Sequence, residues 1–320
     1  MPTVKTLQSS RAHSLPPRSQ AERETVLSAI GNTPLWHLGA TLDPESGVEL
    51  WAKWEGANPS GSLKDRVVHR IVCDALKSGE LHPEATVVEA SSGNTGIAMG
   101  LIGQLMGIRM RVYMPESKSI ERRRLMRYLG VDLVLTSGDD PNSHIKAAEA
   151  LVAAEPERYF YLNQNGCPGN TEAHAVGTAA EIWNQTDGKV DVVVAALGTS
   201  GTLMGLALGL RDRNPRIEVI GVEPTQPKSK IEGLLHVSPE YVPPIYDRTL
   251  ITETVYVDDD SAIRETRALA RREGIFCGIS SGATVAAVRS LAPRWRGKRV
   301  VVVLGDRGDR YLSTELFADV

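Results

Sequence analysis

The chain has 320 residues, 42% hydrophobic and 23% charged, with a formal net charge of −3 at pH 7. A single hydrophobic core stops growing at roughly 250–300 residues, so two domains or one large α/β domain are expected. The acidic balance argues against nucleic-acid binding, and no run of about 18 apolar residues is present to cross a membrane.

Residues 1–22 are expected to form a flexible arm, because the opening MPTVKTLQSSRAHSLPPRSQ is polar, basic and proline-bearing, with no acidic residue. A transit peptide is the lesser alternative, since the stretch lacks amphipathic periodicity. Next comes EGANPSGSLKDR (55–66), a glycine-broken loop that ends on Lys64 and enters a helix. Leu63, Val67, Ile71 and Ala75 recur every fourth residue, with Val68 and Val72 on the same side, which predicts an amphipathic helix stopping near Gly79.

From there strand-like runs recur: ATVVEA, MRVYM, VDLVLT, RYFYL, VDVVVAAL, IEVIGV and RVVVVLG, each closed by a turn and followed by a helical pattern. Such alternation predicts a largely parallel sheet covered by helices. Two glycine-rich turns, ASSGNTG (90–96) and LGTSGTLMG (197–205), each follow a strand and open a helix, so one sheet per half is expected. Turn formers in NQNGCPGN (163–170) suggest the division: an N-terminal α/β domain over 23–164, whose first segment crosses to the other domain, and a C-terminal one over 165–320. Cys73, Cys167 and Cys277 are widely spaced, and the seven histidines show no paired spacing, so neither disulfide nor metal is indicated and a reducing, cytoplasmic setting is expected.

Three chemistries place a lysine among glycines and serines. A nucleotide-phosphate loop, G-x-x-x-x-G-K-[ST], requires lysine where Ser62 stands, and the acyl-transfer motif S-x-x-K requires serine where Gly61 stands. Imine formation asks only that the amine be held where its charged form is disfavoured, as in the first turn of a helix. The plainer alternative is a surface lysine paired with Asp65. In LGTSGTLMG, backbone N–H groups at a helix start, with the hydroxyls of Thr199, Ser200 and Thr202, suit a phosphate. Its glycines, Gly198, Gly201 and Gly205, do not follow the dinucleotide spacing, although Glu223 imitates the expected acidic residue. ASSGNTG could hold a carboxylate in the same manner, or be merely a tight turn. Lysine, phosphate loop and carboxylate loop together point to an amino acid bound as an imine to a phosphorylated aldehyde, the chemistry of pyridoxal 5′-phosphate.

Taken with IGNTPL (30–35), EGIFCGISSGA (273–283) and GDRGDRYLSTELF (305–317), these motifs resemble, in order, the fold type II, tryptophan synthase β-like pyridoxal-phosphate enzymes. Within that family the likeness is to the cysteine synthases, their B type above all, and it implies an α/β fold of two domains with the cofactor between them. By resemblance, Lys64 is the Schiff-base lysine and Asn94 bonds the cofactor's phenolic oxygen. Gly198, Thr199, Ser200, Gly201 and Thr202 form the phosphate loop, and Ser280, rather than Ser281, faces the ring nitrogen. Ser91, Ser92, Gly93, Thr95 and Gln164 receive the substrate carboxylate.

The implied activity is β-replacement on an activated serine, O-acetylserine, through an aminoacrylate, with sulfide as nucleophile; a homodimer is implied as well. Leu234, Leu235 and His236 stand where the B-type pattern carries basic residues and a tryptophan, and Asn165 and Cys167 also depart from it. Three alternatives therefore remain: a diaminopropionate-type synthase, a cysteine desulfhydrase, and a non-catalytic cofactor-binding partner protein. Two smaller features have plainer readings: ERRRLMR (121–127) as a solvated helix face, and Cys277 as a packing residue.

Overall fold

The computed structural model describes residues 25–137, 140 and 142–318; the arm expected over 1–22 lies outside the described residues. Two sheets carry the fold. The larger runs β1 (Leu35–His37), β2 (Glu49–Trp54), β10 (Arg299–Leu304), β7 (Val192–Ala196), β8 (Glu218–Pro224) and β9 (Glu253–Val257) in spatial order. The smaller runs β5 (Asp132–Thr136), β4 (Arg109–Pro115), β3 (Thr86–Ala90) and β6 (Tyr159–Tyr161). Every pairing is parallel except that of β1 with β2.

Near-continuous valine runs make β7 and β10 central strands, because each face of the large sheet meets helices. Side chains on a strand alternate between faces. Val192 and Val194 therefore pack with Val300, Val302, Val285 and Val288 in one core, whereas Val193 joins Val301, Val303, Leu203 and Leu206 in another. The first core is closed by α8 (Asp259–Glu273) and α9 (Ile279–Leu291), the second by α6 (Ala179–Gln185) and α7 (Gly201–Arg211). Around the small sheet, α1 (Lys64–Ser78) and α2 (Asn94–Met106) bury Val67, Ile71, Ile97 and Ile102 against Val87 and Val112. As its periodicity predicts, α1 stops at Gly79, in the left-handed region at φ 82°.

All seven strands read from the sequence are present. β1, β2 and β9 were not anticipated. β2, ELWAKW, escapes notice because Lys53 looks exposed, yet Lys53 is wholly buried against Glu181, Gln185 and the Thr33 carbonyl. Residues 35–54 thus lie in the large sheet although they precede the small one in the chain. Parallel strands aligned this way place the loops after their C-terminal ends along one cleft, the usual ligand position in open α/β sheets. Four such loops follow Trp54, Ala90, Ala196 and Leu304.

Candidate active site

Lys64 opens α1, and the loop ahead of it is clamped from the far end of the chain. Leu63 N donates to the Gly305 carbonyl at 3.0 Å, and Arg310 donates to the carbonyls of Gly61 at 3.1 Å and Ser60 at 2.7 Å. Gly61 takes φ 87°, a conformation that a side chain would strain. So held, the lysine side chain faces the cleft. Desolvation there lowers its pKa to about 8, against the opposing pull of Asp306 and Glu89. The amine is consequently accessible near neutral pH, as imine formation requires.

Across the cleft, Ser200 caps α7 with φ 71°, and the first-turn amides of this eleven-residue helix lie at its positive end. Small residues are compulsory here. A Cβ on Gly198 would lie 2.4 Å from the Gly233 carbonyl oxygen, and one on Gly201 would lie 2.0 Å from Asn170 Oδ1. Thr199 Oγ1 accepts from Asn170 Nδ2 at 2.8 Å, and Thr202 Oγ1 meets His174 Nε2 at 3.2 Å. Burial pushes His174 down to about 3, so the imidazole is neutral. Ser200 Oγ is buried without a partner. An orphan hydroxyl at a helix start is what a phosphate group would satisfy, and the residues present fit a phosphorylated cofactor.

Between these two walls lie Asn94 and Ser280. Asn94 Nδ2 donates to Asp306 Oδ2 at 2.7 Å, and its Oδ1 accepts from Arg310 at 3.0 Å. Ser280 lines the cleft in the first turn of α9, whereas Ser281 is fully buried. One cleft therefore gathers Lys64, Asn94, Gly198, Thr199, Ser200, Thr202 and Ser280. Gly201 lies just behind it. Ser91, Ser92, Gly93, Thr95 and Gln164 do not wall this cleft but form a neighbouring cluster, in which Thr95 Oγ1 donates to Gln164 Oε1 at 2.6 Å.

With this geometry in place, comparison with known proteins is specific. The profile of the family described as "Pyridoxal-phosphate dependent enzyme" matches residues 26–306. The chain is 41% identical to the cysteine synthase of Aquifex aeolicus over 304 residues, covering 93% of each. It is 40% identical to cysteine synthase B of Salmonella typhimurium, covering 92% of this chain and 96% of the relative. This chain belongs to the pyridoxal-phosphate-dependent enzymes of the cysteine synthase family. Among solved structures, cysteine synthase from Entamoeba histolytica superposes with a TM-score of 0.87 at 36% identity, covering 98% of this chain and 94% of that one. An O-ureido-L-serine synthase superposes equally well, with a TM-score of 0.87 at 36% identity over 93% of this chain and 96% of that one.

Within this family member, several cleft residues went unnoticed in the sequence. Asp306 lies in the cleft, bonded to Asn94 and to the Tyr311 hydroxyl at 2.7 Å; its position directly after a buried strand was the available signal. Arg122, expected on a solvated helix face, is instead buried. It is 3% exposed, lies 4.7 Å over the Tyr311 ring and pairs with Glu232, which lines the cleft and is also 3.6 Å from Lys118. Arg124 and Arg127 do face solvent. The departures at 234–236 prove to be mostly packing: Leu234 and Leu235 join the two cores of the large sheet, and His236 Nδ1 meets the Pro224 carbonyl at 2.9 Å. Glu223 accepts from the Val237 amide at 2.9 Å. Cys277 is buried, which pushes its thiol up to about 12, as a packing residue requires.

Proposed function

We infer that this chain is a pyridoxal-phosphate-dependent cysteine synthase, replacing the β-substituent of O-acetylserine with sulfide to give L-cysteine. One observation carries the reading: a lysine with a depressed pKa shares a cleft with an anion-binding helix start, in a chain 37–41% identical to cysteine synthases over more than 90% of its length. The bound cofactor supplies the aldehyde that carries the amino acid and the ring that takes up charge as its bonds break.

The chain's own residues supply the rest. Gly198, Thr199, Ser200, Gly201 and Thr202 would hold the phosphate, and Asn94 and Ser280 would orient the ring through its oxygen and nitrogen. A neutral hydroxyl at Ser280 brings no charge to that nitrogen, which favours loss of the α-proton together with the β-substituent. Lys64 would hold the cofactor through Nζ and, when free, take the substrate's α-proton on the same atom, a task suited to an amine near neutral pKa. Ser91, Ser92, Gly93, Thr95 and Gln164 bind the substrate carboxylate. The same proposal includes a domain boundary near residues 164 and 165, a cytoplasmic location and a homodimer, for which sedimentation at twice the 34.7 kDa chain mass is the check.

The test is direct. Purified holoenzyme given O-acetylserine and sulfide should form cysteine, and Lys64→Ala should lose the absorbance of lysine-bound cofactor together with at least about a thousandfold in kcat. Retention of that absorbance by the variant would sink the assignment of Lys64. A second reading, β-replacement with another nucleophile, draws support from the likeness to the O-ureido-L-serine synthase. Parallel assays with amine and hydroxyl nucleophiles decide between them.

A further inference from the structure

Glu89 lies on the strand that leads into the loop 91–95, and it is 1% exposed. Its carboxylate has two partners, both backbone amides: Oε1 accepts from Ala90 N at 2.8 Å and Oε2 from Gln164 N at 3.0 Å. The first amide begins the carboxylate loop, and the second belongs to the glutamine that comes to it from far along the chain. Among the described residues no side chain donates a hydrogen bond to Glu89; the Lys64 amine attracts it only through space, and burial outweighs that pull and the two amides, raising its pKa to about 7.

Burying a carboxylate without a cation bonded to it is costly, and a glutamine in its place would avoid the charge. Glutamine, however, has one acceptor oxygen, and its NH₂ would be driven against the second amide. Only a carboxylate satisfies both N–H groups at once. Gln164 is fixed at two further points: its carbonyl accepts from Asn170 Nδ2 at 2.7 Å, and its side-chain Oε1 accepts from Thr95. That leaves the side-chain NH₂ of Gln164 to donate to a ligand. Asn170 also donates to Thr199, so the same relay reaches the phosphate loop.

We propose that Glu89 is a positioning residue for the reaction, locking loop 91–95 and Gln164 into one rigid receptor for the substrate carboxylate. This rests on the β-replacement reading above. The receptor then meets a carboxylate with part of its donor set already held, which lowers the ordering cost of binding.

The experiment compares Glu89→Gln and Glu89→Asp holoenzymes with the unsubstituted enzyme. Steady-state rates are measured with O-acetylserine and sulfide, and L-serine is titrated as a binding probe followed by the cofactor's absorbance. Expected for Glu89→Gln is a rise of at least about tenfold in KM for O-acetylserine and in the L-serine dissociation constant, with kcat within about threefold and the resting absorbance unchanged. If that variant fails to fold, Glu89→Asp, which keeps both oxygens on a shorter stem, should show the same imbalance of KM over kcat. A fall in kcat at constant KM would overturn the proposal and make Glu89 a partner of the Lys64 proton; unchanged constants would overturn it too. Should the unsubstituted enzyme show no β-replacement at all, the functional reading fails, while the L-serine titration still judges Glu89.

Discussion

At the scale of single residues, Lys64 shows how little local sequence a reactive amine needs. Its pKa of about 8 comes mainly from desolvation at the cleft wall, with Asp306 and Glu89 pulling the other way. The sign follows: the nucleophile is the neutral amine, so capture of pyridoxal phosphate by cofactor-free protein should quicken as pH rises and level off above about 8. Between about pH 7 and about pH 9 the amine fraction grows roughly tenfold, which stopped-flow absorbance would register. A rate still climbing steeply past pH 10 would belong to an ordinary surface lysine instead.

At the scale of elements, the proposed phosphate loop depends on glycines with no room for a side chain. Gly198 and Gly201 are each held against another chain segment, Gly233 and Asn170, and no side chain fits between. Gly201→Ala should therefore displace Asn170, opening the loop and weakening cofactor affinity by at least about tenfold, the size of effect expected from a crowded buried site. Equilibrium dialysis of the cofactor-free variant measures this, and unchanged affinity would count against the loop's assignment. The element reading from sequence fared well where pattern and burial agree: the α1 periodicity and the valine runs of β7 and β10 name their own faces. It missed β2 because burial of Lys53 is decided by Glu181, a residue more than a hundred positions away.

At the scale of the whole molecule, a buried charge cluster joins pieces that are remote in the chain. Arg66 on α1 pairs with Glu55 at 2.7 Å and Glu181 at 2.7 Å, Glu181 pairs with Lys53, and the Thr33 hydroxyl donates to Glu55 at 2.8 Å. Burial works against ionised Glu55, yet Arg66 holds its carboxyl below the usual range. Arg66→Ala should cost about 3–5 kcal/mol, read from the shift in denaturant midpoint, because a buried carboxylate is left uncompensated. Removing Lys230, whose pair with Glu315 is exposed on both sides, should leave stability unchanged by the same measurement.

The fold class, the helix that follows Lys64, the two glycine-rich turns that open helices and the cofactor are legible in the chain alone, because these depend on periodicity, glycine spacing and a motif order that few families share. Tertiary structure alone decided which residues meet. Asp306 beside Asn94, Arg122 over Tyr311, Gln164 tied to Glu89 and β2 inside the distant sheet are all contacts across long stretches of chain. Nothing in the neighbouring residues encodes them; they arise when parallel strands aligned in two sheets bring their C-terminal loops to one cleft.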